Sequence, residues 1–442
     1  MILYIPEYMY TDSQFKTEWA LAVSGEEITG IGPMAELMKH YPEAQLEPMP
    51  NQVIVPGTVN VHNHSFQSLL RGIAADRPFL EWRDKSLYHY SPKMTEEDIY
   101  HGALFAFGEM MKRGVTCVSD FFYLHNFGLD SDEAIIRAAK DVGIRLVLAR
   151  TMYDWEGAPK GYVETIDQAV EHTRILADKY NHGNQMVTVL PAPHSLHAAT
   201  PEMIIRGHQL AKELGTCYHI HVAEEPFEVE QVQEEHDQMT PIEYLDSLGV
   251  VDEHMVIIHG VWLKDSEIEL LGRKKAKLAY CPSSNMFLAD GITKIPKFLE
   301  HNVVIGLGSD GACSNNRISV FEEMRMVSIL QKASTCNALC VNYTQAFDMG
   351  TKNGGVLLGL PIGRLEAGYK ADFVGIDLDD FSMMPLSDNL EQLLPNIVYS
   401  MEPTAIKSVV INGRRTVTDG KLLLTEEDSI RRKVKETMKR LG

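Results

Sequence analysis

Between residues 53 and 335, short apolar runs rich in Val and Ile alternate with longer stretches of helical period. The runs lie at 53–61, 115–119, 145–149, 186–190, 217–222, 255–258, 277–280 and 303–307. Amphipathic segments such as 95–113, 131–142, 162–180, 201–214 and 241–248 fall between them. Eight β runs, each followed by a helix-like segment, predict an α/β chain folded as a (β/α)8 TIM-type barrel. A doubly wound open sheet is the competitor. It usually carries a Gly-rich phosphate loop after an early strand, and the sequence has none.

The flanks read differently. Residues 1–52 show short strands and turns, with apolar runs at 20–23 and 28–31 separated by Gly25-Glu26-Glu27. After Gly363 a second β-rich stretch runs through 371–378 and 406–411, then the turn Asn412-Gly413, then 415–417. Asn-Gly between apolar runs is a strong hairpin signal. Neither flank holds enough strands for a stable sheet of its own. Residues 1–54 and 364–442 are therefore expected to form one small composite β domain beside a barrel at 55–363. Residues 426–441 read as a charged terminal helix.

Charge narrows the function. With 41 basic and 61 acidic side chains the net charge is −20, histidine counted neutral, which argues against a nucleic-acid partner. No run approaches the roughly 20 apolar residues of a membrane span. The first residues lack a basic region followed by an apolar stretch and a cleavage site, so a cytoplasmic protein with no membrane partner is expected. The cysteines at 117, 217, 281, 313, 336 and 340 form no CxxC pair, which leaves both a disulfide scaffold and cysteinyl zinc poorly supported.

In a barrel, function sits at the C-terminal ends of strands. The first run ends in Val59-Asn60-Val61-His62-Asn63-His64 and the fourth in Pro191-Ala192-Pro193-His194. The fifth ends in His219-Ile220-His221-Val222-Ala223-Glu224, the sixth in Ile258-His259-Gly260 and the eighth in Ser309-Asp310-Gly311. One histidine at a strand end is commonly structural; histidine or aspartate at five strand ends is hard to obtain by chance. Residues i and i+2 share a face, so His62 and His64 are expected to chelate one ion together with His221 and Asp310. His219 lies a residue pair deeper and is the lesser candidate. Three imidazoles and a carboxylate, with a place left for water, suit one divalent ion per chain in a catalytic site, Zn²⁺ first and Fe²⁺ as the alternative. Glu224 is the expected general acid/base. Its bland reading, a solvated acid in Glu224-Glu225, is weak beside this ligand set. His259 is expected to hydrogen-bond the attacking water or the oxyanion it becomes, with Asp310 helping to stabilise the intermediate.

These positions resemble the amidohydrolase superfamily, and more narrowly its aminohydrolase and chlorohydrolase group. That group includes S-adenosylhomocysteine/methylthioadenosine deaminases, guanine and 8-oxoguanine deaminases, and triazine chlorohydrolases. The similarity runs through Val55-Pro56-Gly57, His62, His64, Leu69-Leu70-Arg71-Gly72, Leu80-Glu81-Trp82 and Met94-Thr95-Glu96-Glu97-Asp98. It continues with His221-Val222-Ala223-Glu224, Cys281-Pro282-Ser283-Ser284-Asn285, Gly308-Ser309-Asp310-Gly311 and Ser314-Asn315-Asn316. It closes with the stretch from Gly363 to Asp372. The resemblance implies a mononuclear metal held by His62, His64, His221 and Asp310, with Glu224 and His259 in proton transfer and water orientation. Binuclear relatives use a bridging carboxylated lysine at the end of the fourth strand, and residues 186–195 contain no lysine. It also implies a homo-oligomer.

Substrate contacts are expected at Gln67, His194, Arg150 and Trp155. Guanine-type deaminases and formimino-glutamate deiminases carry a glutamine where Gln67 stands, and an amide reads a ring edge with one donor and one acceptor. His194 matches a substrate-contacting histidine in several of these families. Arg150, at the end of the third run, would hold a carboxylate or carbonyl, and Trp155 would stack on a flat ring or simply pack. Two departures weigh against S-adenosylhomocysteine itself: Ser319 stands where adenosine-type deaminases place aspartate, and Asn63 and Ser65-Phe66-Gln67 replace their commoner first-strand pattern.

The expected activity is thus a metal-dependent deaminase acting on a small amino-substituted N-heterocycle, such as a purine or pterin, and releasing ammonia. A formimino-glutamate deiminase-like or triazine chlorohydrolase-like hydrolase is the enzymatic alternative. A metal-free scaffold barrel is the non-enzymatic one, and a missing ligand or a missing Glu224 would be its mark. None is missing.

Overall fold

The computed structural model describes residues 1–183 and 186–442. Among these residues there are three sheets. The strands β1 (Ile2–Thr11), β2 (Gln14–Thr17), β3 (Trp19–Ser24), β4 (Glu27–Pro33) and β5 (Gln45–Pro56) come from the N-terminal flank. Next in the chain are β6 (Thr58–Asn63), β7 (Val115–Phe122), β8 (Arg145–Met152) and β9 (Val187–Pro193), paired in parallel in that order. A second parallel sheet follows with β10 (Tyr218–Val222), β11 (Met255–His259), β12 (Lys277–Tyr280) and β13 (Ile305–Leu307). Last come β14 (Phe373–Asp377), β15 (Ile406–Ile411), β16 (Arg414–Thr418) and β17 (Lys421–Leu422), which join the N-terminal strands in one nine-stranded mixed sheet. Its seam is the antiparallel pair β5–β14, flanked by the parallel pair β1–β5.

The parallel strands read as near-continuous apolar runs because both of their faces are covered. All eight residues of β7 and of β8 are buried, as expected where helices pack on a parallel sheet. The two parallel sheets also meet at their edges. The His221 backbone N–H donates to the His194 carbonyl at 2.9 Å, and the Asp310 N–H to the His62 carbonyl at 3.0 Å.

One expectation needs correction. The apolar run at 53–61 is two strands in two different sheets, with β5 ending at Pro56 and β6 starting at Thr58. Proline has no N–H to continue a ladder. At Gly57 an added Cβ would stand 2.2 Å from Thr116 Oγ1, so the chain turns where only glycine fits against β7. The hairpin at Asn412-Gly413 forms between β15 and β16 with φ of 53° and 74°, the left-handed pair that a type I′ turn requires.

The mixed sheet is fastened to the parallel layer by a buried charge. Arg145, at the start of β8, donates to Asp372 at 2.9 and 3.1 Å and to Asn412 Oδ1 at 3.1 Å. Both Arg145 and Asp372 are about 1% exposed. Replacing Asp372 by alanine removes the carboxylate and leaves the guanidinium in a low-dielectric site. We expect a loss of about 3–5 kcal/mol of stability, read from the urea midpoint; a midpoint within error of the parent would show that the pair is not needed.

Among the described residues, no helix is long and apolar enough to cross a membrane.

Candidate metal and catalytic site

His62 and His64 project from the end of β6, His221 from β10, His259 from β11, and Asp310 from just beyond β13. Their rings gather closely. The His62 centroid lies 4.7 Å from His64, 4.9 Å from His221 and 5.8 Å from His259. Asp310 Oδ1 is 3.5 Å from His62 Nε2 and 3.3 Å from His64 Nε2. Potential ligand atoms of His62, His64 and Asp310 fall within 4.8 Å of one another, as do those of His62, His221 and His259 and those of Glu224, His259 and Asp310.

The hydrogen bonds around the rings leave lone pairs for an ion. His64 Nδ1 donates to the Phe121 carbonyl at 2.6 Å, and His221 Nδ1 to the His194 carbonyl at 2.9 Å. A carbonyl only accepts, so each Nδ1 carries the proton and each Nε2 keeps a bare lone pair. This is the outer-shell arrangement typical of metal-ligating histidine. Neither ring nitrogen of His62 has a hydrogen-bond partner, although the residue is fully buried. Unpartnered polar atoms inside a protein are costly, and an ion would satisfy one of these two. The donor set is therefore chemically suited to a divalent metal.

Electrostatics agree. Burial first, and then the neighbouring His62, hold His64 down to about 4. Burial likewise lowers His221 well below the ordinary histidine value and His259 to about 3, so these rings are neutral near pH 7. Asp310 stays ionised: burial alone would raise it, but His62, His64 and His259 hold it well below the usual carboxylate range. Its Oδ2 accepts from Ser284 Oγ at 2.6 Å and its Oδ1 from the Gly311 N–H at 2.7 Å. Glu224 goes the other way. Burial, followed by repulsion from Asp290, Glu228 and Asp310, raises it well above the ordinary value, which suits a group that must take up and release a proton. Its Oε1 lies 3.3 Å from His259 Nε2.

One cavity joins these groups. Its lining includes His64, His221, Glu224, His259 and Asp310, together with Gln67, His194 and the rings of Tyr88, Tyr123, Tyr153 and Tyr162. Gln67 donates from Nε2 to Tyr123 Oη at 3.2 Å, and its Oε1 is buried without a partner. A Cβ on Gly311 would stand 1.9 Å from that oxygen, so glycine there makes the room Gln67 occupies. His194 stacks on His221 at 4.9 Å.

Two expected substrate contacts are not brought to the cavity. Arg150 is fully buried, and its guanidinium is taken up by Asp132 at 3.0 Å and Glu164 at 2.8 and 2.9 Å. It has no hand free for a substrate carboxylate and serves as an internal counter-ion. Trp155 is 41% exposed on the loop after β8 and does not line the cavity. His219 is buried beneath the cluster and belongs to none of the ligand groupings. Sequence reasoning overlooked Arg83, His197 and the four tyrosines. Tyr123 and Tyr153 directly follow β7 and β8, so extending the strand-end search by one residue would have found them. Arg83, on the helix Phe79–Lys85, gave no such signal.

Comparison with known proteins places these features in context. The amidohydrolase family matches residues 53–416. A protein of Syntrophomonas wolfei named 5-methylthioadenosine/S-adenosylhomocysteine deaminase is 36% identical over 395 residues, spanning 88% of this chain and 87% of that one. A protein of Methanosphaera stadtmanae named 5'-deoxyadenosine deaminase is 33% identical over 383 residues, spanning 86% of each. Among solved structures, a zinc-bound adenosine deaminase from Xanthomonas campestris superposes with a TM-score of 0.90 at 24% identity, covering 100% of this chain and 98% of the other.

Proposed function

The chain belongs to the amidohydrolase family, and from that premise we propose that it is a zinc-dependent hydrolytic deaminase removing the ring amino group of an adenosine derivative. The observation that carries this reading is the convergence of His64, His221 and Asp310 with Glu224 and His259 on one cavity, with the buried His62 directly behind them. The names of its relatives supply the substrate class.

His62, His64, His221 and Asp310 would hold the ion. A divalent ion in such a site lowers the pKa of coordinated water so that hydroxide is available near neutral pH. Glu224 takes the proton from the attacking water and delivers it to a ring nitrogen. His259 hydrogen-bonds the reacting oxygen. A carbon–oxygen bond forms at the amino-bearing carbon; Glu224 then relays the remaining hydroxyl proton to the amino group, the carbon–nitrogen bond breaks, and ammonia departs to leave a ring carbonyl. The two parallel sheets are read as one closed (β/α)8 barrel at 55–363, with the mixed sheet as the composite domain from 1–54 and 364–442. The enzyme is read as a cytoplasmic homo-oligomer.

Ammonia release across adenosine derivatives, guanine, pterins and formimino-glutamate tests the reading. Turnover of an adenosine derivative above all others is expected; its absence would refute the substrate class. Gln67, lying near the ligand cluster with an unpartnered oxygen, is positioned to accept from the ring's amino edge. Gln67→Leu should lower kcat/KM by roughly 10- to 100-fold with bound metal unchanged, and an unaltered kcat/KM would remove it from recognition.

A second reading rests on Arg83, the one lysine or arginine among the residues lining the cavity. It pairs with Asp84 at 2.8 and 2.9 Å and lies over Tyr88 at 4.5 Å. A cation at this wall favours a substrate carrying a carboxylate, as in S-adenosylhomocysteine or, on the alternative reading, formimino-glutamate. Arg83→Gln should cost about 10-fold or more in kcat/KM on a carboxylate-bearing substrate and little on 5'-deoxyadenosine. Equal losses on both would assign Arg83 a structural role.

A further inference from the structure

His62 and His64 lie on a stretch of backbone that neither a regular ladder nor a helix fixes. Asn60 pairs with Val118 and Asn63 with Asp120, so three steps along β6 meet two along β7. His62 falls within this irregular stretch. A bulge of this kind bends a strand and re-aims its side chains. The strand ends at Asn63 and the 3₁₀ helix Ser65–Leu70 follows, with His64 before it making no side-chain capping hydrogen bond. The first N–H groups of a helix have no partner inside it. We propose that Asp120 of β7 is the positioning residue that fixes this stretch, and through it the spacing at which His62 and His64 present their nitrogens to the ion. The role rests on the ligand set proposed above.

Asp120 meets the chain on both sides of His64. Its Oδ1 accepts from the Ser65 backbone N–H at 2.7 Å and from Asn63 Nδ2 at 3.0 Å, and its Oδ2 accepts from Ser65 Oγ at 2.7 Å. A backbone N–H can only donate, so the direction of the first bond is fixed. Asn63, Ser65 and Asp120 are each fully buried, where a lost bond leaves a polar group unpaired and costs the full desolvation of that group. The next residue of β7, Phe121, accepts from His64 Nδ1 on its carbonyl at 2.6 Å. Two adjacent residues of one strand therefore hold the backbone around His64 and its ring.

The other edge of β6 is held by main-chain groups. The Ser309 N–H donates to Asn60 Oδ1 at 3.0 Å, and the Asp310 N–H to the His62 carbonyl at 3.0 Å. Asp310 is thus registered on β6 directly, whereas the two histidines are registered on β7 through the Asp120 side chain. Asp120 does not line the cavity, so it acts through the ligands and not on a substrate. Groups behind a metal ligand orient it and tune its hold on the ion.

The Zn²⁺ affinity of metal-stripped protein, measured by competition with a chromophoric chelator, tests the role without recourse to turnover. Asp120→Ala is expected to bind Zn²⁺ about 10- to 100-fold more weakly than the parent. Asp120→Asn keeps an oxygen for the Ser65 N–H and gains an N–H for Ser65 Oγ, so its affinity should return to within about 3-fold of the parent. Ser65→Ala removes one hydroxyl and should weaken binding about 3- to 10-fold. Asp372→Ala, which destabilises the fold at the start of β8 rather than at the strand ends, should bind as the parent does. Parental affinity in folded Asp120→Ala, or in Ser65→Ala should Asp120→Ala not fold, would overturn the proposal. So would equal weakening in Asp120→Asn and Asp120→Ala, or in Asp372→Ala and Asp120→Ala. An ion that survives His64→Ala would overturn the ligand set and this role with it. Loss of the ion in His64→Ala beside parental affinity in Asp120→Ala would overturn the role of Asp120 alone.

Discussion

Glu224→Gln is expected to retain its metal and lose kcat by a factor on the order of 10² or more. The side chain is 6% exposed and stands 3.3 Å from His259 Nε2, so glutamine fits the same space and keeps one oxygen facing the imidazole. What it cannot do is accept a proton from water and pass it on. Because the ligand set proposed here is His62, His64, His221 and Asp310, ion content should be unaffected. Metal analysis and steady-state kinetics on the same preparation make the check. Near-parental turnover would remove Glu224 from proton transfer, and loss of the ion would make it a ligand instead.

His64→Ala is expected to abolish both metal binding and activity while leaving the fold in place. The substitution deletes the Nε2 lone pair that stands 3.3 Å from Asp310 Oδ1, along with the Nδ1 hydrogen bond to the Phe121 carbonyl. With one imidazole fewer, the site offers two nitrogens and a carboxylate, a weaker and less complete shell. Added Zn²⁺ should raise the thermal midpoint of the metal-stripped parent, since a ligand at about 100 times its Kd contributes roughly 2.7 kcal/mol. It should not raise that of the variant. A folded His64→Ala protein that keeps about one ion per chain and full activity would show that the ion is held elsewhere.

Much of the site could be read from residue order. His62 and His64 declare themselves because alternation by two puts both on one face of a strand, wherever that strand lies. Asp310 and His259 do so because strand ends in a parallel α/β layer collect on one side. The β–helix alternation carried the fold in the same way, and the Asn412-Gly413 hairpin rested on a backbone preference that two residues are enough to express.

Other features depended on which neighbour a residue finally meets. Arg150 ends a strand as a substrate-binding cation would, yet Asp132 claims it from the helix before that strand and Glu164 from the loop after it. The apolar run at 53–61 reads as one strand, yet Pro56 and the close approach of Thr116 to Gly57 divide it between two sheets. His259 meets the amide of Asn285, 26 residues further along the chain, at 3.0 Å. Arg83 reaches the cavity on a helix with no link in sequence to any ligand. The sequence by itself determined which side chains stand at the strand ends, their facing and the order of the elements, because these follow from local backbone geometry and side-chain chemistry. The tertiary structure decided which charges are spent on each other, which imidazoles gather and what else lines the cavity. Those are properties of pairs of groups far apart in the chain, and a pair acquires its energy only when folding has brought both members out of water and into contact.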